Sequence, residues 1–403
     1  MSFIQKNTRE IRNSSIALFL GAFNTFAILY STQPIFPNLT EEFNLSPATA
    51  SLSLSVASMT LAISLLPIGS ISEVFGRKPI MSISIILSSI LAILTSFVPN
   101  YTALLAIRIL QGFASAGLPA IAMAYISEEF DPKSVGVVMG LYISGNTVGG
   151  MSGRLIIGTL TNIFNWRLAL SCIGIIGFIN SILFFKLLPA SKNFVPRKFE
   201  MINLIKSLIN HVKNTKLLCL YGMGFLLMGS FVSLYNYIGF ELIAPPYNLN
   251  PTLVSFIFVL YLVGTFSSTF LSNKSVKHGQ FKIIRLSMTC MLIGACMTLC
   301  ESLLLKILGI GILTFGYFGC HSIISAWVGQ IATHDKAQAS SLYLFFYYAG
   351  SSVGGTVSGI FLESHGWFGV IGLIVCFVSI ALFFTFLLSK SLKSIKMPLL
   401  IEK

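Results

Sequence analysis

"SGNTVGGMSG" occupies residues 144–153, and "AGSSVGGTVS" occupies residues 349–358. The two align at an offset of 205 residues, close to half of the 403-residue chain. In each, small residues recur every fourth position: Gly145, Gly149 and Gly153 in the first, Gly350, Gly354 and Ser358 in the second. On a helix such positions form one stripe, and in lipid a small stripe lets a neighbouring backbone come close. A second echo sets Gly76 of "SEVFGRKPI" against Gly279 of "VKHGQFKII" at an offset of 203. Together the echoes predict a duplicated unit.

Composition says what kind of unit. The chain is 55% hydrophobic and only 10% charged, where soluble domains carry about a quarter charged residues. Twelve apolar runs long enough to span a bilayer are expected, at about 15–36, 47–68, 79–98, 102–125, 135–159, 167–188, 217–240, 251–271, 282–301, 303–327, 337–361 and 367–389. The first run lacks a small-residue cleavage site, so it is read as a span and not a signal peptide. Six runs precede the polar stretch 189–216 and six follow it. The expected fold is therefore an all-α membrane protein of twelve transmembrane helices, with six-helix halves at 1–188 and 217–403 joined by a central loop at 189–216. Part of that loop, from Met201 to Val212, reads as an amphipathic helix on the membrane surface. Six is even, so both halves insert the same way up, as a parallel repeat whose central cavity opens to either side by rocking.

The net charge of +13 invites a nucleic-acid reading, but its placement argues for topology instead. Apart from Arg167 and Lys306, read in the outer loops, and Arg108 and Arg154, within spans, the 26 Lys and Arg all fall in alternate segments. These include Lys6, Arg77, Lys78, Lys133, Lys192, Arg197, Lys198, Lys274, Lys390, Lys396 and Lys403. By the positive-inside rule both termini and the central loop are cytoplasmic, in an inner or plasma membrane, with no nucleic-acid partner. The seven cysteines sit in or near apolar spans without metal-ligand spacing, so they read as small buried hydrophobes. No metal or cofactor is expected. The absence of a GxxxxGK[ST] loop and of any clustered acid, base or nucleophile argues against nucleotide-driven transport and against an enzyme.

Three motifs carry a family resemblance. "GSISEVFGRKP" (69–79) offers Gly69, Glu73, Gly76, Arg77 and Lys78; "RILQG" (108–112) offers Arg108, Gln111 and Gly112; "GNTVGG" (145–150) offers Gly145, Gly149 and Gly150. With the two-half layout, the chain resembles the major facilitator superfamily, on the drug:proton antiporter side. Glu73 stands where the family usually has Asp, and Asn146 where the antiporter signature usually has Pro. At closer range "GLYISGNTVGGMSGRLI", "GFLLMGSFVSLYNYIG" and "ASSLYLFFYYAGSS" resemble YnfM-like bacterial efflux carriers. The resemblance implies that Gly69, Glu73, Gly76, Arg77 and Lys78 form a conformational latch closing the inward side. A basic turn that merely fixes topology explains the same residues. Glu128 and Glu129 are further partners for the basic pair.

Arg108 and Arg154 lie within spans, where a charge costs about 2.5–3.5 kcal/mol even on lenient scales. Both sit roughly 8–9 Å below the outer surface at about 1.5 Å per residue. Snorkelling to that surface is open to either. At about 100° per residue, Arg154 is turned about 140° from Gly149 and about 20° from Thr147. The glycines therefore pack a neighbour while the arginine faces elsewhere. Substrate and coupling candidates are Arg108, Gln111, Arg154, Thr147, Asn146, His321, Asn236, Gln33, Tyr261 and Tyr347, and Asn24 is read as lining the same cavity. No acid lies mid-span, and His321 is the best-placed group that titrates near neutrality. A packing histidine explains it as well, and interhelical hydrogen bonding explains the polar candidates. The glycines 145, 149, 150, 153, 350 and 354 are read as helix packing.

The expected function is a secondary transporter, a proton-coupled exporter of small organic or amphipathic compounds working by alternating access. Its partners would be a small-molecule substrate, protons and the lipid bilayer, with the chain a monomer. Alternatives are an importer or exchanger of organic anions, or a non-transporting membrane sensor or assembly factor. Two arginines without an embedded carboxylate favour an anionic or electron-rich substrate.

Overall fold

The structure is a computed structural model that describes residues 3–5, 8–194, 196 and 201–393. The basic residues Lys6, Arg197, Lys198, Lys396 and Lys403 lie outside the described residues. Among the described residues, ten helical stretches are long and apolar enough to cross a membrane: Arg9–Phe43, Pro47–Phe75, Arg77–Thr95, Tyr101–Glu129, Trp166–Leu187, Thr215–Ile243, Pro251–His278, Gln280–Met297, Leu303–Ile331 and Lys336–Lys390. An eleventh, Pro132–Ile163, is diluted by glycines and Arg154. The last of the ten holds two helices joined at Gly366, whose φ of 60° breaks the helix. The sum is twelve spans in chain order, Pro132–Ile163 being span 5 and the two sides of Gly366 spans 11 and 12. The fold is that of the twelve-helix, two-half transporter expected from sequence. The helices outrun the apolar windows. Span 1 continues past Leu29 through a short turn, Gln33–Ile35, into Phe36–Phe43, and span 4 is interrupted at Ala116.

Local chemistry sets the ends. Ser46, Asn100, Asn165 and Asn250 each accept a hydrogen bond from the first turn of the helix that follows, the ordinary N-cap device. Spans 2 and 8 stop at Gly76 and Gly279, with φ of +94° and +88°. That left-handed backbone costs glycine nothing, and its recurrence at the same point of each half bears out the repeat.

The glycine stripes hold each half together. A Cβ on Gly145, Gly149 or Gly153 would fall 2.3–2.6 Å from backbone atoms of Phe19, Phe23 and Ala27 on span 1. In the second half, Gly350 and Gly354 lie against Phe225 and Gly229 of span 7 in the same way. Spans 5 and 1, like 11 and 7, are thus zipped backbone to backbone. This packing suits lipid, which supplies no hydrophobic drive between helices.

Among the described residues, the hydrogen bonds between the halves gather toward one end. Gln33 Nε2 donates to Asn236 Oδ1 at 2.7 Å, Ala48 N to Glu363 Oε1 at 3.0 Å, Ser55 Oγ to the Ser352 carbonyl at 3.1 Å, and Thr356 Oγ1 to Ser55 Oγ at 2.8 Å. A Cβ on Gly158 of span 5 would strike Ser255 of span 8, and one on Gly359 of span 11 would strike Ala48 of span 2. All these residues sit at the end opposite the basic segments. At the basic end of span 5, Gly136 and Gly140 have open space beside them. A cleft of about 730 Å³ opens there beside spans 1 and 5, lined by Arg9, Arg12 and Lys133 among Ile11, Ile16, Phe19, Val137 and Leu141. The halves are sealed at one end; at the other, the parted end, no hydrogen bond among the described residues joins them, and the cleft is lined by spans 1 and 5 of the first half.

Two placements depart from the sequence reading. Lys306, read as an outer-loop residue, is 2% exposed and donates to Glu241 Oε1 at 2.8 Å. Asn24, read as a cavity residue, is turned into its own half, where Nδ2 donates to Ser89 and Ser181.

Candidate functional site

Arg154 stands at the seal. Its helical phase turns it off the glycine stripe, toward the turn after span 1 and the start of span 8. The guanidinium is 2% exposed. Nε donates to Gln33 Oε1 at 2.5 Å and Nη1 to the Gly150 carbonyl at 2.6 Å. Three rings surround it: Tyr30 at 4.0 Å, Tyr261 at 4.9 Å and Phe258 at 5.0 Å from the ring centroids. Tyr30 comes from the first half; Phe258 and Tyr261 come from the second. Among the described residues no carboxylate forms an ion pair with it. A buried cation is tolerated here by ring quadrupoles and neutral acceptors. Gly150 belongs to the same arrangement, since a Cβ there would meet Nη1 at 3.3 Å.

Gln33 links Arg154 to Asn236 on the opposite half. Asn236 Nδ2, Thr32 Oγ1 and, further along span 5, Asn146 Oδ1 are buried atoms without a hydrogen-bond partner. Such orphans cost about 1–3 kcal/mol each unless a water or ligand meets them. A cavity of about 150 Å³ lies beside Gln33 and Asn236, lined also by Asn38, Glu41, Tyr235 and Ser255.

Arg108 takes a different place. It is 0% exposed, and its donors go to neighbours within its own half. Nε reaches the Ser53 carbonyl at 2.7 Å, Nη1 the Ile28 carbonyl at 3.3 Å, and Nη2 the Leu29 carbonyl. Nη1 also donates to Gln111 Oε1, and Gln111 Nε2 to the Ser88 carbonyl at 3.3 Å. The expectation of one positive site built from both arginines is therefore corrected. Similar depth did not imply a shared face, and Arg108 with Gln111 ties span 4 to spans 1, 2 and 3 instead.

The remaining candidates divide. His321 Nδ1 lies 2.9 Å from Tyr343 OH, and its ring centroid is 4.6 Å from that of Tyr347. Tyr317 OH donates to Tyr347 OH at 2.6 Å and stacks on Phe231 at 4.0 Å. These residues form an aromatic wall on spans 7, 10 and 11, with His321 and Tyr347 half-buried. Thr147, also half-buried, bonds only its own helix, through the Ile143 carbonyl. In the turn after span 2, Arg77 grips Glu128 with two hydrogen bonds, at 2.7 and 3.1 Å, and Ser72 Oγ at 2.6 Å. Glu73 is 3.9 Å away from Arg77. Glu129 accepts instead from the Lys192 and Asn193 amides. Every one of these bonds lies within the first half and its adjoining loop, so among the described residues the turn makes no bond to the second half. Sequence reasoning missed Glu363, whose carboxylate caps the start of span 2 from the other half. The only signal was its closeness to the outer end of span 11.

Comparisons with known proteins agree with this layout. Residues 18–244 match the model of the Major Facilitator Superfamily. The chain is 49% identical over 393 residues to the uncharacterized MFS-type transporter YybF of Bacillus subtilis (strain 168), covering 98% of this chain and 97% of that one. It is 42% identical over 380 residues to the inner membrane transport protein YnfM of Escherichia coli (strain K12), covering 94% and 91%. Among solved structures, a mutant of the nucleoside transporter NupG superposes with a TM-score of 0.73 at 14% identity, over 94% of this chain and 99% of that one. A bacterial homolog of the human lysosomal transporter Spinster, inward-facing and unoccupied, gives 0.73 at 17% identity, over 98% and 100%. At such identities the superpositions speak for the fold alone. The twelve spans, the repeat and these relatives agree: the chain belongs to the Major Facilitator Superfamily and is a multi-pass membrane transporter, not an enzyme.

Proposed function

We propose that the protein is a proton-coupled exporter in the plasma membrane, for small amphipathic compounds that carry an anionic or electron-rich group. The observation that carries this reading is Arg154: a guanidinium without a carboxylate, caged by rings from both halves at the sealed end. An anion approaching it is attracted most strongly where water is scarce. Because the cage draws on both halves, its occupancy bears on whether the seal holds. The orphaned Asn236 amide and Thr32 hydroxyl supply further polar contacts. The aromatic wall of Tyr317, Tyr343 and Tyr347 supplies apolar area.

Direction follows from charge. All but four of the 26 basic side chains belong to the segments of one end, and the positive-inside rule sets that end in the cytoplasm. The parted end is then cytoplasmic, and its mouth carries Arg9, Arg12 and Lys133 beside apolar side chains. That lining suits an anionic amphiphile entering from inside. The same rule gives two cytoplasmic termini and a cytoplasmic central loop. His321, bonded to Tyr343, is the residue to which we assign the coupling proton.

Inverted vesicles test this. With an acidic lumen, anionic amphiphiles should accumulate in wild-type vesicles and a protonophore should stop it. Arg154→Gln should lower anion accumulation at least about tenfold. Accumulation of cations alone, untouched by Arg154→Gln, would overturn the substrate class. Accumulation that ignores the pH gradient would overturn the coupling.

A further inference from the structure

The central loop contains a helix, Met201–Lys213. Its exposed apolar residues Ile202, Ile205, Ile209 and Val212 follow helical spacing and suit the membrane surface. The opposite face turns to the second half, and there Ser207 and His211, one turn apart, meet the turn between spans 10 and 11. Ser207 Oγ donates to Asp335 Oδ2 at 2.7 Å. The rings of His211 and His334 stack with centroids 4.8 Å apart and planes 16° from parallel. One ligand atom from each of His211, His334 and Asp335 can be chosen so that all lie within 4.8 Å of one another. His211 is 1% exposed, and its Nε2 has no hydrogen-bond partner among the described residues.

We propose that His211, His334 and Asp335 bind a divalent transition metal of the zinc class, which staples the central helix to the turn between spans 10 and 11. The donor set is two imidazoles and a carboxylate, with a water completing the coordination on the exposed side. Zinc at about 2.0–2.1 Å from each nitrogen needs ligands roughly 3.4 Å apart. Stacked rings cannot both aim an in-plane nitrogen at one ion, so binding requires the exposed His334 to swing out of the stack and the exposed Asp335 to close in while His211 stays in place. Outer contacts orient the ligands. The Ser207 hydroxyl holds Asp335, and Thr333 Oγ1 lies 3.2 Å from His334 Nδ1, leaving Nε2 for the metal. The ligands come from positions over 120 residues apart, so no sequence spacing announces the site.

The test uses the full chain, purified without a polyhistidine tag and stripped with a chelator. Cobalt(II) should give visible absorption bands saturating at one equivalent, and zinc should displace it. His334→Gln and Asp335→Asn change exposed side chains, and each should weaken binding at least about tenfold. Zinc should also slow proteolysis of the loop around 192–213 in the wild type and not in the variants. Absence of the cobalt bands in the wild type, or equal binding by both variants, would overturn the site.

Discussion

Replacing Gly158 by alanine should bias the transporter toward the state in which the sealed end has parted. A Cβ at this position would lie 1.6 Å from Ser255 Oγ, 2.6 Å from Ser255 Cβ and 3.7 Å from the Pro251 carbonyl, all three on the other half. Turning the serine hydroxyl away removes only the first clash. Ordinary carbon contacts need about 3.5–4.0 Å, so spans 5 and 8 must separate by roughly 1 Å. Overpacking of this kind costs about 1–3 kcal/mol. The strain exists only while the seal is closed, so the equilibrium should move roughly five- to 150-fold toward parting. Gly153→Ala is the control. Its Cβ would lie equally close, 2.6 Å from Ala27 Cα, but within one half, so it should lower stability in both states alike. Spin labels at Phe97, in the turn after span 3, and Leu304, in the first turn of span 10, both exposed on the sealed side, read the difference as a longer distance population. An unchanged distribution in well-folded Gly158→Ala, or an equal shift in Gly153→Ala, would refute the reasoning.

Other outcomes are expected. Arg108→Gln should sharply lower yield and melting temperature, since it strips donors from the Ser53, Ile28 and Leu29 carbonyls, each orphan costing about 1–3 kcal/mol; a normal melting curve would contradict its structural role. Glu363→Gln removes a charge at the start of span 2, worth about 0.3–1 kcal/mol, and should loosen the seal roughly two- to fivefold in the same label assay. A single cysteine at Phe97 should react with an impermeant maleimide on intact cells, and one at Lys274 only after permeabilisation; the reverse pattern would invert the assigned orientation.

Much of the architecture was legible because glycine spacing and apolar windows are local signals. The 205-residue echo located the repeat, and the phase angle between Gly149 and Arg154 correctly separated stripe from arginine. Legibility ended where tertiary placement decides. Arg108 and Arg154 look alike as charges at matching depth, yet one is saturated by backbone carbonyls inside its half and the other meets rings from both. Whether Asn24 or Asn236 reaches the boundary between halves depends on helix rotation across several neighbours, which no single periodicity encodes. Glu363 was overlooked because a carboxylate near a span end resembles any solvated terminal charge, and its partner amide lies 315 residues away.

The repeat also carries an asymmetry with evolutionary weight. At the 205-residue offset, Arg154 corresponds to Gly359, and Gly359 has Ala48 Cα only 2.5 Å from where its Cβ would be. A long cationic side chain has no room in the second copy. If both halves descend from one duplicated ancestor, that ancestor's descendants had to divide labour at this position: one copy kept the space for a charge, the other kept the close approach. At this position the transporter therefore carries its caged charge in one half only, and point mutation of the second copy alone cannot double it.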